Sequence, residues 1–387
     1  MQFAPVRRLS DGALAGAELQ VRGPSGSALG TAESLRRAAR MMQQERALDR
    51  HKFTFAASGT AQMIADVLPL LVMVDLASVD EADLENSLER LAVSVQPDEM
   101  LANPQRTLAR IDAARRAGRI ICVDGFGVSE YAVTMLSLIE PDIIVTGPEL
   151  LTRTSEPAMA RLAHALAAHV ERSHAVVIAE GVDTEALRMS AQTIGASYGL
   201  GALYPAVDDP ASFADETVVP LPEAPVWSTP AADTSTPYRI GSAGHHPRRG
   251  TKHLLIEMSK ALESQAAAAG GAVIVLGTFQ HARNFTTHTA VRWKQLADTA
   301  GLAGVYGVGL APMIDGNVIH APLDESDDIV NEWNVAVLSP HFCALLAARD
   351  LHDEGPDMER TFDFVQSYER LTVTQAVHSI LSRFTFA

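Results

Sequence analysis

The stretch RIICVDGFG, residues 119–127, is an apolar run that stops abruptly on an acid followed by glycine. HAVVIAEGVD, residues 174–183, repeats the design further along. A helical segment precedes each run. A buried parallel strand reads this way when it delivers a carboxylate to the open end of a barrel. Asp124 and Glu180 are the two carboxylates so delivered.

Outward from that pair, the region 70–207 alternates strand and helix. LLVMVDLAS (70–78) reads as a strand, 81–90 as a helix and LAVSV (91–95) as a strand. A helix over 105–117 is stopped by Gly118, and a helix over 129–139 stops before Pro141. Strand 142–146 follows, then a stripe of Met159, Leu162, Leu166 and Val170 at helical spacing. Strand 174–179, helix 184–194 and a last strand near 197–203 complete the series. Short apolar strands alternating with glycine-ended helices call for a parallel sheet, and this many units favour closure. Upstream, Ser10-Asp11-Gly12 joins two short strands into a hairpin. Residues 32–53 carry helical apolar spacing, with arginines and glutamates on the opposite face.

The chain has 387 residues, so two domains are expected, since a single core rarely grows beyond about 250–300 residues. Its hydrophobic share is 47% and its formal charge −16. That acidity argues against nucleic-acid and anionic-membrane partners, whose phosphates need a basic surface. Cys122 and Cys343 do not make a disulfide framework, and Cys122 reads as an inert buried thiol in a reducing compartment. No signal-peptide pattern and no membrane-length apolar run is present, so a cytoplasmic location is expected. Seven of the twenty prolines fall between Pro210 and Pro247, among small polar residues, which reads as a linker. Val218, Val219, Leu221 and Trp227 are the linker residues that would pack if offered a groove.

A second α/β region follows: helix 251–265, strand 273–279, helix 287–300, strand 304–310 and strand 334–339. A helix holding Phe342 and Leu346 is expected next, and a final helical stretch over 361–384. The domains are drawn as a barrel at 1–208, a linker at 209–247, a sensory domain at 248–350 and a C-terminal helical extension at 351–387.

Both acid-bearing stretches resemble the cyclic-di-GMP phosphodiesterases named for their Glu-Ala-Leu motif, the EAL domains. The family's D-D-F-G is matched by Asp124-Gly125-Phe126-Gly127, and its A-E-G-V-E by Ala179-Glu180-Gly181-Val182-Asp183. Gly16-Ala17-Glu18-Leu19-Gln20-Val21-Arg22 is similar to G-x-E-A-L-x-R, with Glu and Arg in register. The resemblance implies a trimmed (β/α) barrel, about 208 residues against roughly 250 for a typical one. The later region resembles the DICT domain, a sensory module. The residues that carry this match are Ser259-Lys260-Ala261-Leu262-Glu263, Phe279-Gln280, Phe285-Thr286, Trp293 and Val305-Tyr306-Gly307-Val308-Gly309.

EAL-type cleavage uses two divalent metals that stabilise the attacking and leaving oxygens, and hard cations need several oxygen ligands each. The resemblance makes Glu18, Asp75, Asp124 and Glu180 vestigial metal-site positions and Arg22 a phosphate contact. Mg²⁺ or Mn²⁺ is the cofactor if that site still binds metal. It also marks losses. A ligand Glu falls on Val93, the second Asp of D-D-F-G on Gly125, and the K-x-D motif on Val145 and Gly147. The Gln near the domain's end falls on Leu200, and the loop after D-D-F-G is Val128-Ser129-Glu130-Tyr131-Ala132.

Other polar clusters read as ordinary structure. His164, His169 and His174 recur every five residues, which separates them around a helix, whereas helical metal pairs sit four apart, so they read as solvated side chains. His245-His246-Pro247-Arg248-Arg249 reads as a helix entry, and Phe279, Phe285, Trp293 and Tyr306 as core. Three functions remain open: a non-catalytic barrel coupled to a sensor, a weak metal-dependent cyclic-di-GMP phosphodiesterase, or a receptor without turnover. The losses at Val93 and Val145 favour the first. It implies no assigned catalytic residue, a protein partner in signalling, weak binding of cyclic-di-GMP at most, and a second copy of the chain as a further candidate partner.

Overall fold

The computed structural model describes residues 1–24, 26–66, 68–84, 91–128, 132–153, 156–222 and 235–384. Chain contacts divide it into two compact units. The first comprises Met1–Pro97, Arg110–Ser129 and Pro141–Thr229; the second comprises Asp98–Ala109, Glu130–Glu140 and Pro230–Ala387.

The first unit holds a closed barrel of eight strands in chain order. They are β1 (Gln2–Arg8), β2 (Leu14–Gln20), β3 (Leu70–Asp75), β4 (Leu91–Val95), β5 (Ile120–Phe126), β6 (Ile143–Thr146), β7 (Val176–Glu180) and β8 (Tyr198–Leu200). β1 runs antiparallel to both β2 and β8, whereas neighbours from β2 to β8 are parallel. The expected hairpin is present, with Gly12 at φ +73°. Ala15, Leu71, Ala92, Cys122, Val145, Ile178 and Leu200 belong to one buried apolar cluster. Leu221 joins that cluster, and the Val219 N–H donates to the Leu14 carbonyl at 2.8 Å. Part of the expected linker therefore packs beside β2, as its apolar residues suggested. Trp227, the rest of the linker between 223 and 234, the predicted helical residues 85–90 and the loop residues Ser129–Tyr131 lie outside the described residues.

Two helices follow the hairpin, α1 (Ala32–Met41) and α2 (Glu45–Ala56). α1 starts on a capping box in which Thr31 and Ser34 satisfy each other's backbone N–H groups. This fixes where the helix begins, and so which turn of it carries Arg36 and Arg40.

The second unit is built on an eight-stranded sheet in the order β12-β13-β11-β10-β14-β15-β16-β9. Its strands are β9 (Arg248–Thr251), β10 (Ile274–His281), β11 (Leu302–Val308), β12 (Met313–Asp315), β13 (Val318–Pro322), β14 (Glu332–Leu338), β15 (Cys343–Asp350) and β16 (Thr361–Ser367). β10, β11 and β13 are parallel; the other pairings are antiparallel. Helices Lys252–Ala269 and Thr287–Ala297 pack an apolar core against the sheet around Trp293, which is fully buried. Helices Pro237–Gly244 and Arg370–Leu381 also pack on β14 and β15. Helix Ala132–Ile139, every residue of which is buried, belongs to this unit too, and His378 Nε2 sits 2.7 Å from the Leu138 carbonyl.

Four readings are corrected here. His169, expected as a solvated side chain, is fully buried, because it shares the buried face of helix Pro157–Ser173 with Leu162 and Leu166. Leu346 lies in strand β15, and Phe342 immediately precedes that strand; neither is in a helix. The stretch 361–384 is strand β16 followed by the helix Arg370–Leu381, not helical throughout. Arg248 and Arg249 lie in edge strand β9, and the helix entry comes after it, at Thr251, whose side chain caps Leu254 N–H. β15 is buried on both faces, so its sequence is a continuous apolar run without the period of two, and a Phe-Leu spacing of four then mimics a helix. No described helix is long and apolar enough to cross a membrane.

Candidate functional site

Asp124 and Glu180 stand where their strands deliver them, at the ends of β5 and β7. A bulge in β5 between Val123 and Phe126 turns the chain after the acid, with Gly125 at φ +69°. That backbone is costly for most side chains and tolerated best by Gly, Asn and Asp. At the end of β7, Gly181 takes φ +80°, and a Cβ there would lie 2.6 Å from Pro148 Cβ. The Asp-Gly and Glu-Gly pairings are thus turn chemistry as well as motif.

The sequence reading missed what lies between the two acids. Arg36 of α1 donates from Nη1 to Asp124 Oδ2 at 3.2 Å and from Nη2 to Glu180 Oε1 at 2.9 Å. One turn later, Arg40 Nη2 reaches Asp124 Oδ2 at 3.4 Å. The side chains of Arg36, Asp124 and Glu180 are only 16%, 10% and 16% exposed, whereas that of Arg40 is 42% exposed. A guanidinium presenting two donors in one plane suits two carboxylates better than an ammonium would. The available signal was the Arg36–Arg40 spacing of four on one helix face, and it read as a solvated face.

The remaining predicted residues have partners of their own. Glu18 is buried and accepts at Oε2 from Gln20 Nε2 at 2.7 Å. Gln20, in the third position of the motif, accepts in turn from Arg22 Nη2 at 3.0 Å. Asp75 Oδ1 caps the short helical turn Leu76–Ser78 by accepting from Ala77 N–H at 2.9 Å. The Asp75 backbone N–H donates to Asp49 at 2.9 Å, and Asp49 sits in a buried ion pair with Lys52 at 3.3 Å.

Strand alternation relocates one loss. Successive side chains of β4 point to opposite faces, and Ala92 belongs to the apolar cluster while Ser94 lines the small cavity beside Asp124. Val93, the residue between them, faces the other way. The β4 positions facing the site are thus Ala92 and Ser94, and neither supplies a carboxylate. Val145 and Leu200 are buried apolar members of the cluster, and Gly147 is crowded by Val128 and Glu149. Cys122 is fully buried. Burial, reinforced by the nearby Asp124 and Glu18 carboxylates, holds its thiol well above the usual range, so it is unreactive.

This donor set does not fit a pair of divalent cations. Among the described residues, no group of three or more His, Cys, Asp or Glu side chains is placed to hold a metal ion. Arg36 already occupies the space between the two carboxylates. The cavity lined by Arg36, Arg40, Asp75, Ser94 and Asp124 measures about 30 Å³, roughly the space of one water.

The eight-stranded barrel, closed through an antiparallel first strand and carrying acids at its strand ends, defines the class: an α/β barrel followed by a second α/β unit. Residues 1–206 match the EAL domain family, more than half of the chain, and the chain belongs to that family. Residues 240–351 match DICT, described as a sensory domain in diguanylate cyclases and two-component systems. Among solved structures, the EAL enzyme Bd1971 in its cGMP-bound form is 16% identical, with a TM-score of 0.39, over 55% of this chain and 62% of that one. Klebsiella pneumoniae BlrP1, as a calcium and cyclic-di-GMP complex, is 20% identical, with a TM-score of 0.42, over 52% of this chain and 54% of that one. The Xanthomonas citri FimX EAL domain bound to cyclic-di-GMP is 14% identical, with a TM-score of 0.44, over 54% and 88%. The matches to Bd1971 and BlrP1 span less than two thirds of those proteins' length. No curated protein matches the chain.

Proposed function

We propose that this chain is a regulator in cyclic-di-GMP signalling whose barrel does not hydrolyse the nucleotide and whose second unit receives the signal. The observation that carries this reading is the Arg36 guanidinium bridging Asp124 and Glu180. A divalent cation entering there would meet a like charge. At about 4 Å and an effective dielectric near 20, that repulsion is about 4 kcal/mol per unit charge. Strand β4 adds no acid, and Val145 stands where the family's Lys would orient water.

The alternatives draw less support. Weak metal-dependent hydrolysis would need Arg36 to leave. A receptor would need room for a dinucleotide, and the roughly 30 Å³ cavity falls far below the 300–1,000 Å³ of ordinary ligand pockets. The reading carries with it a cytoplasmic location, a protein partner for output and a division of the chain at the proline-rich 209–247 stretch.

The test is formation of linear dinucleotide from cyclic-di-GMP with Mg²⁺ or Mn²⁺, beside a Glu18→Ala control. No turnover is expected. Product that Glu18→Ala abolishes would overturn the reading.

A further inference from the structure

The second unit contains a cavity of about 360 Å³ between helices Lys252–Ala269 and Thr287–Ala297 at the end of strand β10. That volume lies in the range of small-molecule pockets. Its floor is aromatic, formed by Phe279, Trp333 and Phe362.

Charge narrows the class. At the rim, Lys252 is paired with Asp357, and Arg292 with Glu263. Lys260, on the same wall, is paired with Glu257. Arg283 lines the cavity, is exposed and has no ion pair among the described residues. The backbone reports the same place: Gln280, at the mouth, holds φ +58°, where L side chains are strained, and strain of this kind gathers at ligand clamps. β10 and β11 are parallel, and crevices beyond the carboxyl ends of parallel strands are habitual ligand sites.

We propose that this cavity binds a small aromatic anion, packed on Phe279, Trp333 and Phe362, with its charge toward Arg283. As a binding site it stands independently of the barrel. As the input of the regulator it rests on the reading above.

The test uses the full chain and 2-naphthoate, followed by calorimetry and tryptophan emission, beside its cationic counterpart 2-naphthylmethylammonium. Saturable one-site binding of naphthoate is expected, with the cation weaker by roughly tenfold or more. Arg283→Glu, on the surface, should erase that preference. Absence of saturable naphthoate binding, equal affinity for the two charges, or an Arg283→Glu variant that keeps the preference would each overturn the proposal. None of these results bears on nucleotide turnover in the barrel, so failure here and failure of the regulator reading are separable.

Discussion

Replacing Arg36 by Ala is the sharpest perturbation of the barrel. The change removes two charge-assisted hydrogen bonds, at 3.2 Å to Asp124 and 2.9 Å to Glu180. It leaves two carboxylates, 10% and 16% exposed, with Arg40 still reaching Asp124 from 3.4 Å. A hydrogen bond to a charged group contributes about 1.5–3 kcal/mol when buried. Discounted for partial exposure, the pair amounts to about 2–3 kcal/mol. At about 2–4 °C per kcal/mol for units of this size, Tm should fall by about 4–12 °C. Arg40→Ala, at an exposed 3.4 Å contact, should cost under about 1 kcal/mol. The second readout is metal. In Arg36→Ala the vacated carboxylates are an anionic pair, so millimolar Mn²⁺ should raise Tm by mass action, about 2.7 kcal/mol at a hundredfold excess over Kd. The parent protein should not respond. The assay is thermal melting with and without Mn²⁺. An Arg36→Ala protein that melts like the parent, or a parent shifted by Mn²⁺ as much as the variant, would refute the argument.

Other expectations follow from single contacts. Gly181→Ala should destabilise by about 2–4 kcal/mol, combining the left-handed backbone penalty with overpacking against Pro148, and denaturant unfolding measures it. Burial raises the Glu332 carboxyl above its ordinary value despite hydrogen bonds from the Tyr238 N–H and Asn334. The stability this group confers is full below the unfolded-state pKa and is lost as pH rises through the raised one. Glu332→Gln should therefore melt higher than the parent at pH 7, with the gap closing toward pH 4. Both cysteines are buried, so an aromatic disulfide reagent should find no thiol in the native chain and two after denaturation.

Most of the barrel was readable because each of its strands is short, apolar and closed by a turn residue. Asp124 and Glu180 stood out for a local reason: a carboxylate at the end of a buried run, beside a glycine that frees the backbone. Arg36 did not. Its role depends on where α1 begins and on what two strands far along the chain deliver, and nothing within a helical turn of it says so. Val93 shows the limit of matching by motif, because the inward face of β4 is decided by pleat and register, which place Ala92 and Ser94 toward the site. In the second unit, a strand covered on both faces lost the alternation that marks a strand. The cavity there was invisible for another reason. Phe279 read as core, and it is buried, but the space left beside it is a property of the folded chain alone.

The bridge from Arg36 to Asp124 and Glu180 also fixes how the barrel answers to its surroundings. A bound ion has an off-rate, competes with chelators and follows the cell's free metal. A counter-ion carried on a helix does none of these, because the chain itself holds it beside the two acids. It also brings one positive charge where a pair of divalent ions would bring four. If the proposed reading holds, the mouth of this barrel keeps one electrostatic state whatever the metal supply, and changing it requires moving the Arg36 side chain or α1.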